Sequence, residues 1–227
     1  MPSASQPPMN FHRKNDAASQ RQRMVRTQIE DRGVRDLRVL EAMRSVPRHE
    51  FVPEDYRDGA YGDYPLPIGE EQTISQPYIV AAMLEHLALR ETDRVLEVGT
   101  GSGYVTALLS VLCAEVFSVE RYASLAVAAE ARLLRLGYKN VKIRVGDGSL
   151  GWSEYAPFDA VLVSAATADV PPLLFDQLRE GGRMILPVGS AWTQELQLIR
   201  KINGEEDVTL LEGCRFVPLV EGVVADR

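Results

Sequence analysis

Cysteine and histidine are scarce in this 227-residue chain, which has two cysteines and three histidines. Cys113 and Cys214 lie far apart, in apolar surroundings and outside any C-x-x-C pattern, so we interpret both as reduced thiols of a cytoplasmic protein. His12, His49 and His86 have no catalytic spacing, and no His, Cys or Asp cluster has the spacing of metal ligands. We therefore expect a site without a metal ion.

Long apolar runs and an excess of positive charge are also absent from the sequence. No run approaches the ~18 apolar residues of a membrane span, and the N-terminus lacks the apolar segment of a signal peptide, so we expect no membrane partner. The formal net charge is -7, whereas nucleic-acid binding requires a dense basic face, so nucleic acid is not an expected partner. A chain that is 45% hydrophobic can nevertheless bury a substantial core.

The N-terminal third of the chain has no regular alternation of strands and helices. Residues 1–20 are rich in Ser, Pro, Gln and Asn and carry no sustained apolar period, so we predict a disordered tail there. Two short helices are predicted next, over residues 20–33 and 36–47. The connection over residues 53–77 contains several prolines and glycines and three tyrosines, and we expect such a long segment to serve a substrate site.

From residue 76 onward, short apolar strands alternate with helices. We predict strands over residues 94–98, 115–120, 141–146, 158–165 and 183–189, and helices over residues 76–89, 104–113, 122–137 and 171–182. Such strands indicate a parallel sheet covered by helices on both faces. Residues 194–204 and 208–220 add an antiparallel strand pair. The sequence predicts a doubly wound, mostly parallel, seven-stranded α/β fold of the Rossmann-like kind. We assign residues 21–227 to one domain, whose α/β core comprises residues 76–227.

The stretch VLEVGTGSGY places three glycines directly after the first predicted strand of this core, at Gly99, Gly101 and Gly103. Ligands of parallel sheets bind beyond the carboxyl ends of the strands, where the topology reverses. Dinucleotide-binding folds prefer G-x-G-x-x-G, and here the third glycine comes one residue early. We interpret the loop as passing close to a compact ligand that has no phosphate groups.

Two acids belong to the same region of the predicted sheet. Glu97 lies in the strand before the loop, where a carboxylate favours an ammonium or a sulfonium, and Glu120 ends the next strand, where a carboxylate accepts both hydroxyls of a ribose. These carboxylates, with no lysine in the loop, favour S-adenosylmethionine over a nucleotide. Glu97 as an ion-pair partner, Glu120 as a helix cap and Asp147 in an ordinary Asp-Gly turn are the structural alternatives.

Several motifs resemble those of known families. VLEVGTGSGY, VFSVER, VGDGSLGW, PFDAVLVSAA and LREGGRMILPVG resemble the successive motifs of class I methyltransferases. SVPRHEFVP, YGDYPLPIGEEQTISQPYIVA and RFVPL resemble one member of that class, the protein-L-isoaspartate O-methyltransferases. The likeness extends over roughly residues 22–220. One departure is SAATADVPP, which stands where an Ala-Pro dipeptide is expected.

The resemblance implies a cytosolic repair enzyme that uses S-adenosylmethionine to methylate the α-carboxylate of L-isoaspartyl residues in damaged proteins and peptides. It places the active-site serine at Ser75, with Thr73 and Ile74 over the cofactor and the glycine loop beneath. It also implies that Glu120 holds the ribose.

By the same resemblance, Asp147 and Gly148 are expected to meet the adenine of the cofactor. Tyr61, Tyr64 and the RFVPL segment are candidates for lining the peptide groove, although tyrosines in a proline-rich loop are as often packing anchors.

The acceptor chemistry agrees with the lack of catalytic histidines. An α-carboxyl titrates near ~3.3 to 3.7, so it is an anion at neutral pH and needs no general base. The site has to supply alignment, exclusion of water and a hydrogen-bond donor, for which Ser75 is the candidate. Because Ser75 directly precedes a predicted helix, an N-cap alone would also explain it.

Other functions stay open on the sequence. A non-catalytic sensor of adenosyl ligands would keep the same pocket, and a nicotinamide-dependent oxidoreductase would explain the acid after the second strand. A methyltransferase acting on a small molecule or a nucleic acid is the nearer alternative. We expect a cytoplasmic monomer.

Overall fold

Six α-helices and nine strands, with short π and 3-10 turns between them, make up the part of the chain that the computed structural model describes, residues 11–223, with side chains described from residue 17. The helices are α1 (Phe11–Met24), α2 (Leu37–Ser45), α3 (Pro77–Leu87), α4 (Tyr104–Leu112), α5 (Ala123–Leu136) and α6 (Pro172–Asp176). The strands are β1 (Leu66–Gly69), β2 (Gln72–Ile74), β3 (Arg94–Val98), β4 (Glu115–Glu120), β5 (Val141–Val145), β6 (Phe158–Val163), β7 (Leu178–Gly189), β8 (Gln194–Ile202) and β9 (Glu205–Cys214). None of these helices has both the length and the apolar character needed to cross a membrane.

Seven of the strands form one sheet in the order β5-β4-β3-β6-β7-β8-β9. The pairs from β5 to β7 are parallel, β8 runs antiparallel to β7, and β9 runs antiparallel to β8. The two-residue turn Asn203–Gly204, a sequence typical of tight hairpins, joins β8 to β9. The predicted doubly wound sheet with an antiparallel C-terminal pair is confirmed.

The order of the strands reverses at β3. After β3 the chain adds β4 and β5 on one side, and it then returns to add β6 and β7 on the other side. Val98 at the end of β3 pairs with Val119 of β4 and with Val163 of β6, so the loops that follow these three strands leave the sheet together. This edge is where a parallel sheet binds its ligand.

Both faces of the sheet are buried, which explains the continuous apolar strands. Val95 in β3 packs in a cluster with residues of α2, α3 and α4, whereas Leu96 and Val98 pack in a second cluster with Phe117 and with Leu174 of α6. Side chains alternate between the faces of a strand, so adjacent apolar residues serve two cores.

The prediction of a disordered tail through residue 20 is corrected over residues 11–20, which belong to α1; residues 1–10 lie outside the described part of the chain. Ala17 packs against the core, and the Arg21 Nε–H donates to the Arg44 carbonyl in α2. These contacts with later parts of the chain stabilise a segment whose own composition predicts no structure.

Two further boundaries differ from the sequence prediction. The connection over residues 53–77 contains the antiparallel pair β1 and β2. The helix predicted over residues 171–182 ends at Asp176, because Leu178 already pairs with Phe158 of β6 and Arg179 forms an ion pair with Asp159 at 2.8 Å.

Candidate active site

A cavity lies at the carboxyl ends of β3, β4 and β6, and we call it the edge cavity. Its walls are the loop after β3, the end of β4, the link between β2 and α3, and the segment after β9. The lining includes Thr73, Ile74, Ser75, Gly99, Thr100, Gly101, Glu120, Gly148, Ser164, Val217 and Leu219. Most of the predicted site residues therefore come together at the strand edge where the topology reverses.

The glycine loop forms one wall of the edge cavity through Gly99 and Gly101. Gly101 has φ 52°, and a Cβ atom there would stand 3.2 Å from the Ile68 Cδ1 atom. Gly103 does not line the cavity; a Cβ atom there would stand 3.3 Å from the Ala129 Cβ atom in α5. The position of Gly103 beneath the ligand stays a prediction; this glycine also allows α4 and α5 to pack closely.

Glu120 is buried, with 5% of its surface exposed, and it lines the edge cavity. One carboxylate oxygen accepts a hydrogen bond from the Gly101 N–H at 2.8 Å, and the other accepts one from the Tyr122 N–H at 3.0 Å. Because a carboxylate has about four acceptor sites, each oxygen can accept a further bond from a ligand hydroxyl.

Glu97 does not line the edge cavity, and the contact of its carboxylate with the ligand stays a prediction. Its Oε2 accepts hydrogen bonds from the Thr106 and Ser118 hydroxyls, both at 2.6 Å, and the side chain is completely buried. Burial raises the pKa of Glu97 from 4.5 to about 8, so the group is mostly protonated at neutral pH.

Gly148 lines the edge cavity but Asp147 does not. The Asp147 Oδ1 accepts from the Ser149 N–H at 2.9 Å, and Oδ2 accepts from the Gly222 N–H at 2.6 Å. Partial burial opposes ionisation, yet the hydrogen bonds from Gly222 and Ser149 outweigh it and lower the Asp147 pKa below its ordinary value. The expected contact of Asp147 with adenine stays a prediction; its carboxylate also holds the C-terminal segment through Gly222.

Ser75 lies in the short link between β2 and α3 and does not cap the helix. The N-cap of α3 is Gln76, which makes no side-chain cap bond, and Pro77 occupies the first turn. Among the described residues, none forms a hydrogen bond with the Ser75 hydroxyl. The capping interpretation of Ser75 is wrong, and its hydroxyl is available to a ligand.

A second cavity, which we call the side cavity, adjoins the edge cavity at Ser75. Both cavities are lined by Thr73, Ser75, Ser164 and Val217. Ser75 and Ser164 therefore stand where a ligand in one cavity can meet a ligand in the other.

The outer wall of the side cavity is polar. The Tyr78 hydroxyl donates to a Glu212 carboxylate oxygen at 2.9 Å, and the Arg32 guanidinium lies 3.4 Å from the centre of the Tyr78 ring. Arg32 also forms an ion pair with Asp63 at 2.6 Å. Sequence reasoning missed this cluster; Tyr78 and Glu212 are separated by 134 positions, so no local spacing joins them.

The candidates for a peptide groove divide into two groups. Tyr61 is buried and lines neither cavity; its hydroxyl lies 2.6 Å from the His49 Nδ1 atom, so it is a packing anchor. Tyr64 is exposed but lines neither cavity. Residues 215–217 of RFVPL line the side cavity, and residues 217–219 line the edge cavity, because this part of the last predicted strand has left the sheet.

The edge cavity suits an adenosyl ligand. Gly101 leaves space that a side chain would fill against Ile68. At Gly148 a Cβ atom would stand 2.4 Å from Val98 Cγ1, so a larger residue does not fit there. Glu120 offers a carboxylate to hydroxyl donors. Among the residues that the structure describes, the cavity lining contains no lysine, and Arg121 is the one cationic residue there.

Comparison with known proteins points to one family. The family model described as Protein-L-isoaspartate(D-aspartate) O-methyltransferase (PCMT) matches residues 19–224. A protein-L-isoaspartate O-methyltransferase of Koribacter versatilis (strain Ellin345) is 55% identical over 203 residues, which cover 89% of this chain and 91% of that protein. Protein-L-isoaspartate O-methyltransferase 1 of Syntrophobacter fumaroxidans (strain DSM 10017 / MPOB) is 54% identical over 214 residues, covering 93% and 96% respectively.

Solved structures agree with the sequence comparison. A protein-L-isoaspartate O-methyltransferase superposes with a TM-score of 0.80 at 32% identity, covering 87% of this chain and 65% of that chain. A structure from Plasmodium falciparum, in complex with S-adenosyl-L-homocysteine, superposes with a TM-score of 0.78 at 28% identity, covering 89% of this chain and 99% of that chain. The chain belongs to the protein-L-isoaspartate O-methyltransferase family.

Proposed function

We propose that this chain transfers the methyl group of S-adenosylmethionine to the α-carboxylate of L-isoaspartyl residues in damaged proteins and peptides, which starts their conversion back to aspartate. The match of the family model over residues 19–224 supports this activity, and the S-adenosyl-L-homocysteine complex of the Plasmodium falciparum structure supports the cofactor. The observation that carries the proposal is the junction of two cavities at Ser75.

The edge cavity is the proposed cofactor site. S-adenosylmethionine, when bound, supplies a methyl group that its sulfonium already activates for transfer. Glu120 accepts the ribose hydroxyls, and the backbone of Gly99 and Gly101 allows a close approach on one side. Thr73 and Ile74 cover the site from the β2 side, while Gly148 lies at the adenine end.

The side cavity is the proposed site of the isoaspartyl peptide. The acceptor carboxylate is ionised at neutral pH, so the chain need not remove a proton from it. The Ser75 hydroxyl donates a hydrogen bond to one carboxylate oxygen and leaves the other aimed into the edge cavity. This alignment, with water excluded, is the main contribution that the chain makes to the rate.

We place the activity in the cytoplasm, in a monomer whose catalytic domain is residues 21–227, acting on proteins and peptides rather than on nucleic acid or a membrane. Cys113 and Cys214 are both free thiols, which supports a reducing compartment. The formal charge of -7 supports a partner other than nucleic acid.

The decisive experiment compares methyl transfer to two peptides that differ only in one isoaspartyl or aspartyl linkage. Hydrophobic fit discriminates one methylene by only ~1 to 3 kcal/mol, so selectivity has to come from alignment of the carboxylate. We expect the isoaspartyl peptide to react at least about a hundredfold faster, since misalignment by 1 Å can cost that much.

Three other results would each reject the proposed reaction. Comparable rates on both peptides identify a general carboxyl methyltransferase. Binding of S-adenosylhomocysteine without transfer to either peptide identifies a sensor of adenosyl ligands. Binding of a nicotinamide dinucleotide in preference to S-adenosylhomocysteine identifies an oxidoreductase.

A further inference from the structure

Arg48 is a completely buried arginine that touches the link carrying Ser75. Its Nε–H donates to the Ala60 carbonyl at 2.8 Å, and its second terminal nitrogen donates to the Ser75 carbonyl at 2.8 Å. The guanidinium carbon also lies 4.9 Å from the centre of the Tyr104 ring. Since Tyr104 lines the edge cavity, Arg48 connects the backbone of Ser75 to the wall of that cavity.

Burying a charged guanidinium costs free energy of desolvation, and a side chain that only filled space would not need the charge. No carboxylate of the described residues forms an ion pair with Arg48, and its Nη1 atom is buried without a hydrogen-bond partner there. Burial lowers the pKa of Arg48, as expected where the charged form loses its hydration. An apolar side chain of similar size commonly gives a fold equal or greater stability than a buried charge, so stability alone does not explain Arg48.

Ser75 has few other restraints on its position. It follows the last residue of β2 and precedes the N-cap of α3, and its hydroxyl makes no bond within the described residues. The Ser75 carbonyl is therefore the point at which the surrounding structure holds this residue, and Arg48 supplies the donor. The bond to Ala60 fixes the guanidinium from its other side.

We propose that Arg48 is a positioning residue for methyl transfer, whose guanidinium holds the Ser75 backbone so that the Ser75 hydroxyl stands at the junction of the two cavities. This inference rests on the proposed function. A guanidinium suits the role because its planar fork donates to two fixed carbonyls at once, whereas a lysine ammonium is a single point on a flexible stem.

The test is a kinetic comparison of Arg48→Lys with Arg38→Lys. Arg38 is the matched control, because its guanidinium also donates to two backbone carbonyls, of Leu89 and Leu112, away from both cavities. For Arg48→Lys we expect kcat on an isoaspartyl peptide to fall about tenfold to a hundredfold, as misplacement of a catalytic group does. Affinity for S-adenosylhomocysteine is expected to stay unchanged, and Arg38→Lys is expected to keep the wild-type kcat.

A double-mutant cycle separates positioning from general stability. If Arg48 acts through the Ser75 hydroxyl, Arg48→Lys has no further effect on kcat in the Ser75→Ala background. Should Arg48→Lys fail to fold, Arg48→Met, an uncharged side chain of similar length, replaces it in the same cycle. Melting temperatures of all variants are measured alongside.

Three results overturn the role of Arg48 while leaving the proposed function standing. The first is an active wild type with unchanged kcat in the Arg48 variant, and the second is a loss of kcat that multiplies independently with that of Ser75→Ala. The third is a loss of S-adenosylhomocysteine affinity in parallel with kcat, because the arginine would then shape the cofactor site. A wild-type chain that methylates neither peptide overturns the proposed function and, with it, this inference.

Discussion

The Glu120 carboxylate accepts a hydrogen bond from the Gly101 backbone N–H at 2.8 Å, so the end of β4 holds the loop that follows β3. Gly101 lies in the loop after β3 and Glu120 ends the neighbouring strand β4, and both residues line the same cavity. Glu120 thus shapes the glycine loop and offers its remaining acceptor sites to a ligand.

Replacing Glu120 with alanine is expected to weaken the binding of S-adenosylhomocysteine by roughly 1.5 to 3 kcal/mol, the usual contribution of hydrogen bonds to a charged group. Isothermal titration calorimetry measures the change. Glu115→Ala is the control, since Glu115 starts the same strand and forms ion pairs with Arg94 and Lys142. Equal affinities in folded Glu120→Ala and wild type would remove Glu120 from the cofactor site.

Ser75→Ala is expected to lower turnover of an isoaspartyl peptide and to spare S-adenosylhomocysteine affinity. A lost donor in a dry site raises the barrier by up to roughly 3 or 4 kcal/mol. Its melting temperature should stay near that of the wild type, because Ser75 does not cap α3. Steady-state kinetics and thermal unfolding, measured on the same preparation, separate the two effects.

Asp36→Ala gives the opposite pattern and serves as the control for Ser75→Ala. Asp36 is a true N-cap, whose side chain accepts from the Arg38 and Val39 N–H groups. Its loss should cost about 1 kcal/mol of stability with normal turnover. A Ser75→Ala variant that behaves like Asp36→Ala would contradict the role of the hydroxyl.

Gly101→Ala and Gly103→Ala are expected to affect different properties. The added methyl group at Gly101 stands 3.2 Å from Ile68 Cδ1 within the cavity wall, so we expect weaker cofactor binding in addition to the strain of a side chain at φ 52°. At Gly103 the methyl group meets Ala129 at 3.3 Å, and overpacking of this kind costs roughly 1 to 3 kcal/mol of stability. Urea unfolding measures the stability of the two variants, and calorimetry measures their affinity for the cofactor. A Gly103→Ala protein of normal stability that has lost cofactor affinity would show that Gly103 belongs to the cofactor site.

The buried Glu97 should make stability depend on pH. Burial raises its pKa from 4.5 to about 8, so the unfolded chain ionises this group over a range in which the folded chain keeps the proton. The stability contributed by Glu97 is therefore fully present below the ordinary pKa of 4.5 and is lost as pH rises through the folded-state pKa of about 8. Glu97→Gln, which cannot ionise, should gain stability relative to the wild type between about pH 5 and about pH 8. Urea unfolding measures the free energy of unfolding of both proteins. A difference between them that stays constant across this pH range would show that the carboxyl is not buried in its protonated form.

Local sequence patterns predicted most of the sheet. Apolar runs of strand length and the glycines after β3 depend on backbone and turn chemistry, which a few neighbouring residues determine. The boundaries that differed depend on distant contacts instead. Arg179 enters β7 beside Asp159, and Arg21 of α1 binds the Arg44 carbonyl, and neither partner is visible in the local pattern.

The sequence alone determined that a glycine loop follows β3 and that an acid ends β4, because strand periodicity and glycine spacing are properties of short segments. Only the tertiary structure decided which acids line the edge cavity. Glu97 is covered by Thr106 of α4, and Asp147 is held by Gly222, which lies 75 positions later. Burial and hydrogen bonding depend on which elements pack together, and in this protein that packing leaves Glu120 facing the cavity.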